Sequence, residues 1–283
     1  MTCETAFRVA ATNYLDQLTA QHKGTAAGEA AALHVMRVTL TRLRTTIALF
    51  SPMVEGDEQV QLAAELKWLN AHLGIVRDLD VALERMAKTG QQANVKAQSW
   101  KQERAACQKH LTRALRSLRY RRLIKDLTAW IAQGDWSRKT GKQAVARRTR
   151  SADEYCSEKL AQWRTKLLKK SRNLREFGAR KRHKVRLSNK RLAYAIEAAA
   201  QWVRPSEVAE RQATLKLLRE AQKSLGQLND DARYLAMASA LGNGKANGVD
   251  LALKPKQKKR LLRRAVNAYE DIAGIESVKT GGR

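Results

Sequence analysis

Two kinds of side chain recur at helical spacing between His34 and Phe50, in the segment HVMRVTLTRLRTTIALF. The apolar ones form a stripe that consists of Met36, Leu40, Leu43, Ile47 and Phe50. The others form a row about a quarter-turn away, which consists of His34, Arg37, Thr41 and Arg44. Arginine presents a planar set of N–H donors that matches phosphate oxygens. The segment therefore predicts a core helix whose rim either binds an extended anion or is a solvated basic surface.

The same arrangement returns 149 residues later, in the segment HKVRLSNKRLAYAIEAA from His183 to Ala199. The aligned pairs are His34 with His183, Arg37 with Arg186, Arg42 with Arg191, Leu43 with Leu192 and Ile47 with Ile196. A second pair of strings, LGIVRDLDVALERM from Leu73 and LGQLNDDARYLAMASAL from Leu225, follows in the same order. Two motif pairs in one order predict an internal duplication, with related basic helices at a shared site.

The charge of the chain limits its ligands. Its 283 residues include 55 lysines and arginines against 27 acidic residues, a formal net charge of +28. Such a field attracts a polyanion: nucleic acid, an anionic membrane or an inorganic phosphate polymer. Hydrophobic residues make up 43% of the chain, which excludes a disordered basic tail. Aromatic residues make up only 5%, which argues against a protein that stacks single-stranded bases on exposed rings.

Helices are predicted throughout, because only 3 residues are proline and no segment alternates with period two. We expect an all-α fold with one domain over residues 1–275, made of helical halves at about 4–132 and 143–275, a break at 133–142 and a tail at 276–283. Pro52 should end the first basic helix and Gly74 the next one. Asp78 or Asp80 then either caps the following helix or pins neighbouring arginines.

No pattern for catalysis or metal binding is present. None of the 5 histidines has a partner at metal-ligand spacing such as HExxH, and the acidic residues are spread out. The loop GNGKANG at 242–248 lacks the P-loop signature. We expect a protein that is not an enzyme and needs no metal or cofactor. Three widely spaced cysteines, no signal peptide and no long apolar run predict a cytoplasmic protein that does not enter a membrane.

His34 and His183 lie near the starts of the two basic helices. Each either caps or packs locally, or donates a hydrogen bond to a phosphate and gains charge, in which case affinity rises as the pH falls toward about 6. Further basic rows are secondary candidates for anion binding. They are Lys109, Arg113 and Arg116, in a long helical stretch from about Val95 to Trp130, and Lys256, Arg260 and Arg263 in the last helix.

Four motifs resemble the signatures of the CHAD family, the conserved histidine α-helical domain. They are HxxRVxxxRLR from His34, LGxxRDLDV from Leu73, HxxRLxxKRLxYxxE from His183 and LGxLND from Leu225. The resemblance covers about residues 4–275. It implies two related antiparallel helical bundles with pseudo-two-fold symmetry around a basic central channel. It also implies binding of inorganic polyphosphate and association with polyphosphate granules in bacteria.

The resemblance further implies which residues bind polyphosphate: His34, Arg37, Arg42 and Arg44 in the first helix, and His183, Arg186, Lys190 and Arg191 in the second. Two positions depart from the family pattern, since Thr41 and Ala193 stand where basic residues are usual. The ExExK signature of the triphosphate tunnel domains fused to some members is absent, which implies a stand-alone binding module. A nucleic-acid-binding helical protein and a phosphohydrolase accessory domain are the alternatives.

Overall fold

The computed structural model describes residues 1–88, 95–202, 204–241 and 252–280. These residues form an all-α fold, as predicted: they contain no strand, and a single isolated bridge joins Thr2 to Ser151. Within the same ranges, no helix is both long and apolar enough to cross a membrane. The loop predicted at 242–248 and the end of the predicted tail, residues 281–283, lie outside the described residues.

The chain divides into two compact units, Met1–Tyr155 and Cys156–Arg283. The helices of the first unit are α1 (Cys3–Ala20), α2 (His22–Ala27), α3 (Ala30–Leu49), α4 (Ser51–Val54), α5 (Asp57–Lys88), α6 (Val95–Arg116), α7 (Leu118–Gln133), α8 (Asp135–Arg138) and α9 (Lys142–Thr149). Helix α10 (Ala152–Ser171) begins in the first unit and continues into the second. The second unit also contains α11 (Ala179–Ala198), α12 (Val208–Leu241) and α13 (Pro255–Thr280), with short 3₁₀ turns at Leu174–Glu176, Ala200–Trp202 and Pro205–Glu207.

The long helices follow the same order in the two units. In the first unit they are α1, α3, α5 and α6, and their counterparts are α10, α11, α12 and α13. Helices α3 and α11 each have 20 residues and start 149 positions apart. The duplication that the paired sequence motifs suggest would produce this order and this spacing, and it stays a prediction.

The predicted break at 133–142 does not separate the two units. Trp136 of α8 is only 2% exposed, and its ring meets that of Phe7 edge-to-face with centroids 5.3 Å apart. Arg147 of α9 donates to the carbonyl oxygen of Pro52 at 2.7 Å, and Arg148 donates to that of Lys139 at 2.7 Å. Because these contacts hold α8 and α9 in the first unit, the unit boundary lies further along the chain, within α10.

One predicted helix boundary is confirmed and one is wrong. Helix α3 ends at Leu49, just before Pro52, which lies in the first turn of α4. The stretch from 95 to 130 is two helices, because Ser117 caps the start of α7 by accepting a hydrogen bond from the Tyr120 N–H at 3.2 Å. Gly74 does not end a helix, since α5 runs through it from Asp57 to Lys88.

Gly74 offers a direct test of this continuous helix. A Cβ atom added at Gly74 would meet nothing within 4 Å, so Gly74→Ala should stabilise α5 by about 0.5–1 kcal/mol because alanine loses less backbone entropy. Gly24→Ala is the control, since a Cβ there would lie 2.8 Å from the Cβ of Ala32 and should destabilise the protein. Urea unfolding of both variants checks the prediction; destabilisation by Gly74→Ala would contradict the uninterrupted helix.

Candidate functional site

The apolar stripe of α3 is buried, as predicted. Met36, Leu40, Leu43 and Phe50 are each 0% exposed and Ile47 is 6% exposed. Through this stripe α3 packs against α1 and α5, which fixes the rotation of the helix about its axis. The basic row therefore lies along the rim of the buried face. There the charged groups of its side chains reach water, while the aliphatic parts of the same side chains cover apolar surface.

An aspartate on α5 pairs with the basic row of α3. Nη1 of Arg37 lies 3.6 Å from Oδ1 of Asp78, with the two side chains 27% and 15% exposed. Two residues further along α5, Asp80 accepts a hydrogen bond from Nε of Arg104 at 2.9 Å. Both aspartates lie inside α5, so the capping interpretation is wrong and the alternative, that they pin arginines, is confirmed. His34 and Arg44 are exposed on the same rim.

Helix α11 repeats the arrangement in the second unit. Val185, Leu192 and Ile196 are buried at positions that match those of Met36, Leu43 and Ile47. Arg186 is half-buried and passes close to α12, since a Cβ added at Gly226 would lie 3.9 Å from its Nε atom. The ammonium group of Lys190 lies 5.3 Å from the centroid of the Tyr194 ring.

His183 contacts a residue that the sequence analysis did not single out. Nδ1 of His183 lies 2.6 Å from Oδ1 of Asn229 on α12. The Nδ2 group of Asn229 donates in turn to Oδ1 of Asp230 at 3.3 Å. Asn229 lies in the LGQLNDDA string, but helical spacing within a string does not reveal which side chain of a neighbouring helix it will meet. The contact holds the imidazole at the start of the basic row of α11.

Arg42 and Arg191 lie on the other flank of their helices. Each is five positions beyond the first arginine of its row, which is about 140° around the helix axis. The guanidinium carbon of Arg191 lies 4.0 Å from the ring centroid of Trp163 on α10, and the loss of hydration there lowers the pKa of Arg191. Whether this flank shares a ligand with the first one stays a prediction.

The secondary rows are exposed, each within its own unit. Lys109, Arg113 and Arg116 lie on α6, and Lys256, Arg260 and Arg263 lie on α13. Arg113 interacts with Nδ1 of the neighbouring His110 at 3.4 Å. Exposure leaves all six side chains able to meet an anion, and their part in binding stays a prediction.

Acidic side chains near the rows serve as partners of arginine. Across the described residues, no group of three or more His, Cys, Asp or Glu side chains is placed to hold a metal ion. What the rows offer is a set of N–H donors and positive charges on fixed helices, an arrangement suited to binding anions that carry several phosphate groups.

Comparison with known proteins agrees with this architecture. The CHAD domain family model matches residues 9–238. The crystal structure of the CHAD domain from the plant Ricinus communis superposes with a TM-score of 0.73 at 23% sequence identity, covering 98% of this chain and 92% of that one. PptA from Streptomyces chartreusis superposes with a TM-score of 0.59 at 16% identity, covering 97% and 95%. A search of curated proteins found no significant match. With its family model matched over most of its length, the chain belongs to the CHAD domain family.

Proposed function

We propose that this CHAD protein binds inorganic polyphosphate and does not alter it chemically. The observation that carries the proposal is the repetition of one basic row on α3 and α11, two helices of equal length. His34 and Arg37 recur as His183 and Arg186 at the same register beside a buried stripe. Charge alone would not require this register, whereas a repeated anionic ligand favours a repeated set of donors.

The length of each row supports a linear polyanion. Ten residues separate His34 from Arg44, which corresponds to about 15 Å along the helix axis. A chain of several phosphate units can lie along such a row and meet arginine and histidine donors in succession. The formal net charge of the chain is +28, so the surrounding field also favours a long anion over a single phosphate.

The proposal extends to where the protein acts. A cytoplasmic protein that binds long polyphosphate would collect on polyphosphate granules, where its ligand is concentrated. The proposed role is therefore attachment or organisation at the granule surface. Incubation with long-chain polyphosphate and Mg²⁺ should release no phosphate, even at high protein concentration. Release that depends on the protein would overturn the non-enzymatic part of the proposal.

Competition between polyanions tests the binding partner. Fluorescently labelled long-chain polyphosphate, bound at about 150 mM salt, should be displaced by unlabelled polyphosphate at a concentration about tenfold lower than duplex DNA or RNA, counted per phosphate. The expected reason is that flexible, closely spaced phosphates reach donors along one helix, whereas a duplex is wide and rigid. Binding should weaken steeply as salt is raised. Equal or better competition by nucleic acid would favour the nucleic-acid alternative.

A further inference from the structure

A cleft of about 360 Å³ lies at the start of the basic row of the second unit, between the first turn of α11 and the C-terminal half of α12. Its basic side chains are Arg180, Arg182, His183 and Arg233, and none of its lining residues is acidic. Arg182 is held in place because its Nη1 donates to the carbonyl oxygen of Phe177 at 2.7 Å. The cleft thus concentrates positive charge at one end of the row.

The N-terminus of α11 adds to this charge. Gly178 occupies the N-cap position and supplies no side-chain hydrogen bond to the first-turn N–H groups. These groups and the helix dipole favour an anion at this end. A doubly charged group gains more from them than a singly charged one.

The orientation of Asn229 fixes the tautomer of His183. Because the Asn229 amide nitrogen donates to Asp230, its Oδ1 atom faces His183 and can only accept. Nδ1 of His183 must therefore carry a hydrogen. In the neutral ring, Nε2 is then an acceptor, and it becomes a donor only when the imidazole is protonated.

This tautomer distinguishes two kinds of phosphate. An internal phosphate of a linear chain is fully ionised near neutral pH and offers only acceptor oxygens, so it bonds to Nε2 only after His183 gains a proton. A terminal phosphate has a second ionisation near pH 6, by analogy with phosphate monoesters, and it still carries a hydroxyl in part of the population. That hydroxyl donates to neutral Nε2, and the ionised end accepts from the protonated ring.

We propose that the cleft at the start of α11 recognises the terminal phosphate of a polyphosphate chain, with one proton shared between that phosphate and Nε2 of His183. The inference rests on the proposed function and specifies which part of the polyphosphate chain binds in this cleft. Arg180, Arg182 and Arg233 line the same cleft as His183, and the nearby carboxylate of Asp230 accepts a hydrogen bond from Asn229. The rest of the chain then follows the row past Arg186 toward Lys190.

The test compares tripolyphosphate with tripolyphosphate whose two ends are methyl esters, by isothermal titration calorimetry at pH 7. Wild-type protein should bind the free-ended chain about tenfold or more tightly, as expected for a hydrogen bond to a charged group. Part of that ratio reflects the charge that esterification removes. His183→Asn should therefore lower the ratio to the part due to charge alone, whereas His110→Asn, which removes an exposed histidine of α6, should leave it unchanged.

The tautomer is tested separately by ¹⁵N NMR of the histidine side chains. In the free protein at high pH, the His183 signal should show hydrogen on Nδ1, and Asn229→Leu should shift the ring toward the Nε2–H form and reduce the preference for free ends. An Nε2–H signal in the wild type would overturn the inference, as would an end preference that His183→Asn does not change.

Long-chain polyphosphate is titrated in parallel: if it binds while no end preference exists, the cleft assignment fails and the proposed function stands. If it does not bind, the proposed function fails.

Discussion

Replacing Arg37 and Arg186 together with alanine should weaken binding of long-chain polyphosphate about 100-fold or more at roughly 150 mM salt. Each arginine is expected to supply charge-assisted hydrogen bonds worth about 1.5–3 kcal/mol. Arg37→Ala has a second effect, because Asp78 loses its ion pair with Arg37 and adds negative charge to the rim. The loss should appear in calorimetric titration, with the helical content of the variant unchanged in circular dichroism.

The control must remove the same charge elsewhere. The basic run at 147–150 is unsuitable, because Arg147 and Arg148 hold α9 through hydrogen bonds to carbonyl oxygens. Arg121 of α7 and Arg172, just after α10, are exposed and lie one in each unit. Alanine at both positions should lower affinity no more than about threefold, since exposed charges are largely screened at this salt concentration. Equal losses in the two double variants would mean that overall charge, and not the repeated row, binds the ligand.

Replacing Arg164 with methionine should destabilise the second unit by about 3 kcal/mol. Arg164 is 8% exposed, and it donates to Oε1 of Glu210 at 2.8 Å and to the carbonyl oxygen of Ile272 at 2.7 Å. It therefore joins α10 to α12 and α13. Removing one member of a buried ion pair leaves the other charge and the carbonyl group without this partner, which is costly.

Hydrogen exchange locates the expected effect. Amide protection should fall in α11, α12 and α13 and persist in α1, α3 and α5. Lys169→Met is the control, because Lys169 is an exposed cation near the end of the same helix and its loss should change stability by less than about 0.5 kcal/mol. Unchanged protection in the Arg164→Met variant would show that the contacts of Arg164 with α12 and α13 contribute little to the stability of the second unit.

The spacing of apolar residues predicted the two basic helices well. Apolar residues that recur every three or four positions fall on one face of a helix, and that face is the one that packs into the core. The same reasoning failed at Gly74. A glycine inside a helix costs about 1 kcal/mol, and α5 offsets this by burying Leu69, Leu73 and Val76 around it. A glycine therefore marks the end of a helix only where the residues before and after it are not both buried along one helix face.

The roles of single charged residues depended on contacts that no spacing encodes. Arg164 resembles the surface cations around it in sequence, yet a glutamate 46 positions away and a carbonyl group 108 positions away enclose it. Asp78 meets Arg37 for the same reason, because α3 and α5 pack face to face. Residue type and local period predict which side chains are on a rim, whereas the partner on the next helix follows only from the tertiary fold.

The stacking of Arg191 on Trp163 means that tryptophan fluorescence can report on a change at Arg191 in the second unit. Indole emission depends on the charge and polarity at the ring, and the guanidinium carbon lies 4.0 Å from the ring centroid. A polyanion that draws Arg191 toward itself would change that emission, whereas one held only by His183 and Arg186 would leave it constant. A chain-length series followed by fluorescence would therefore show when the ligand becomes long enough to reach both flanks of α11.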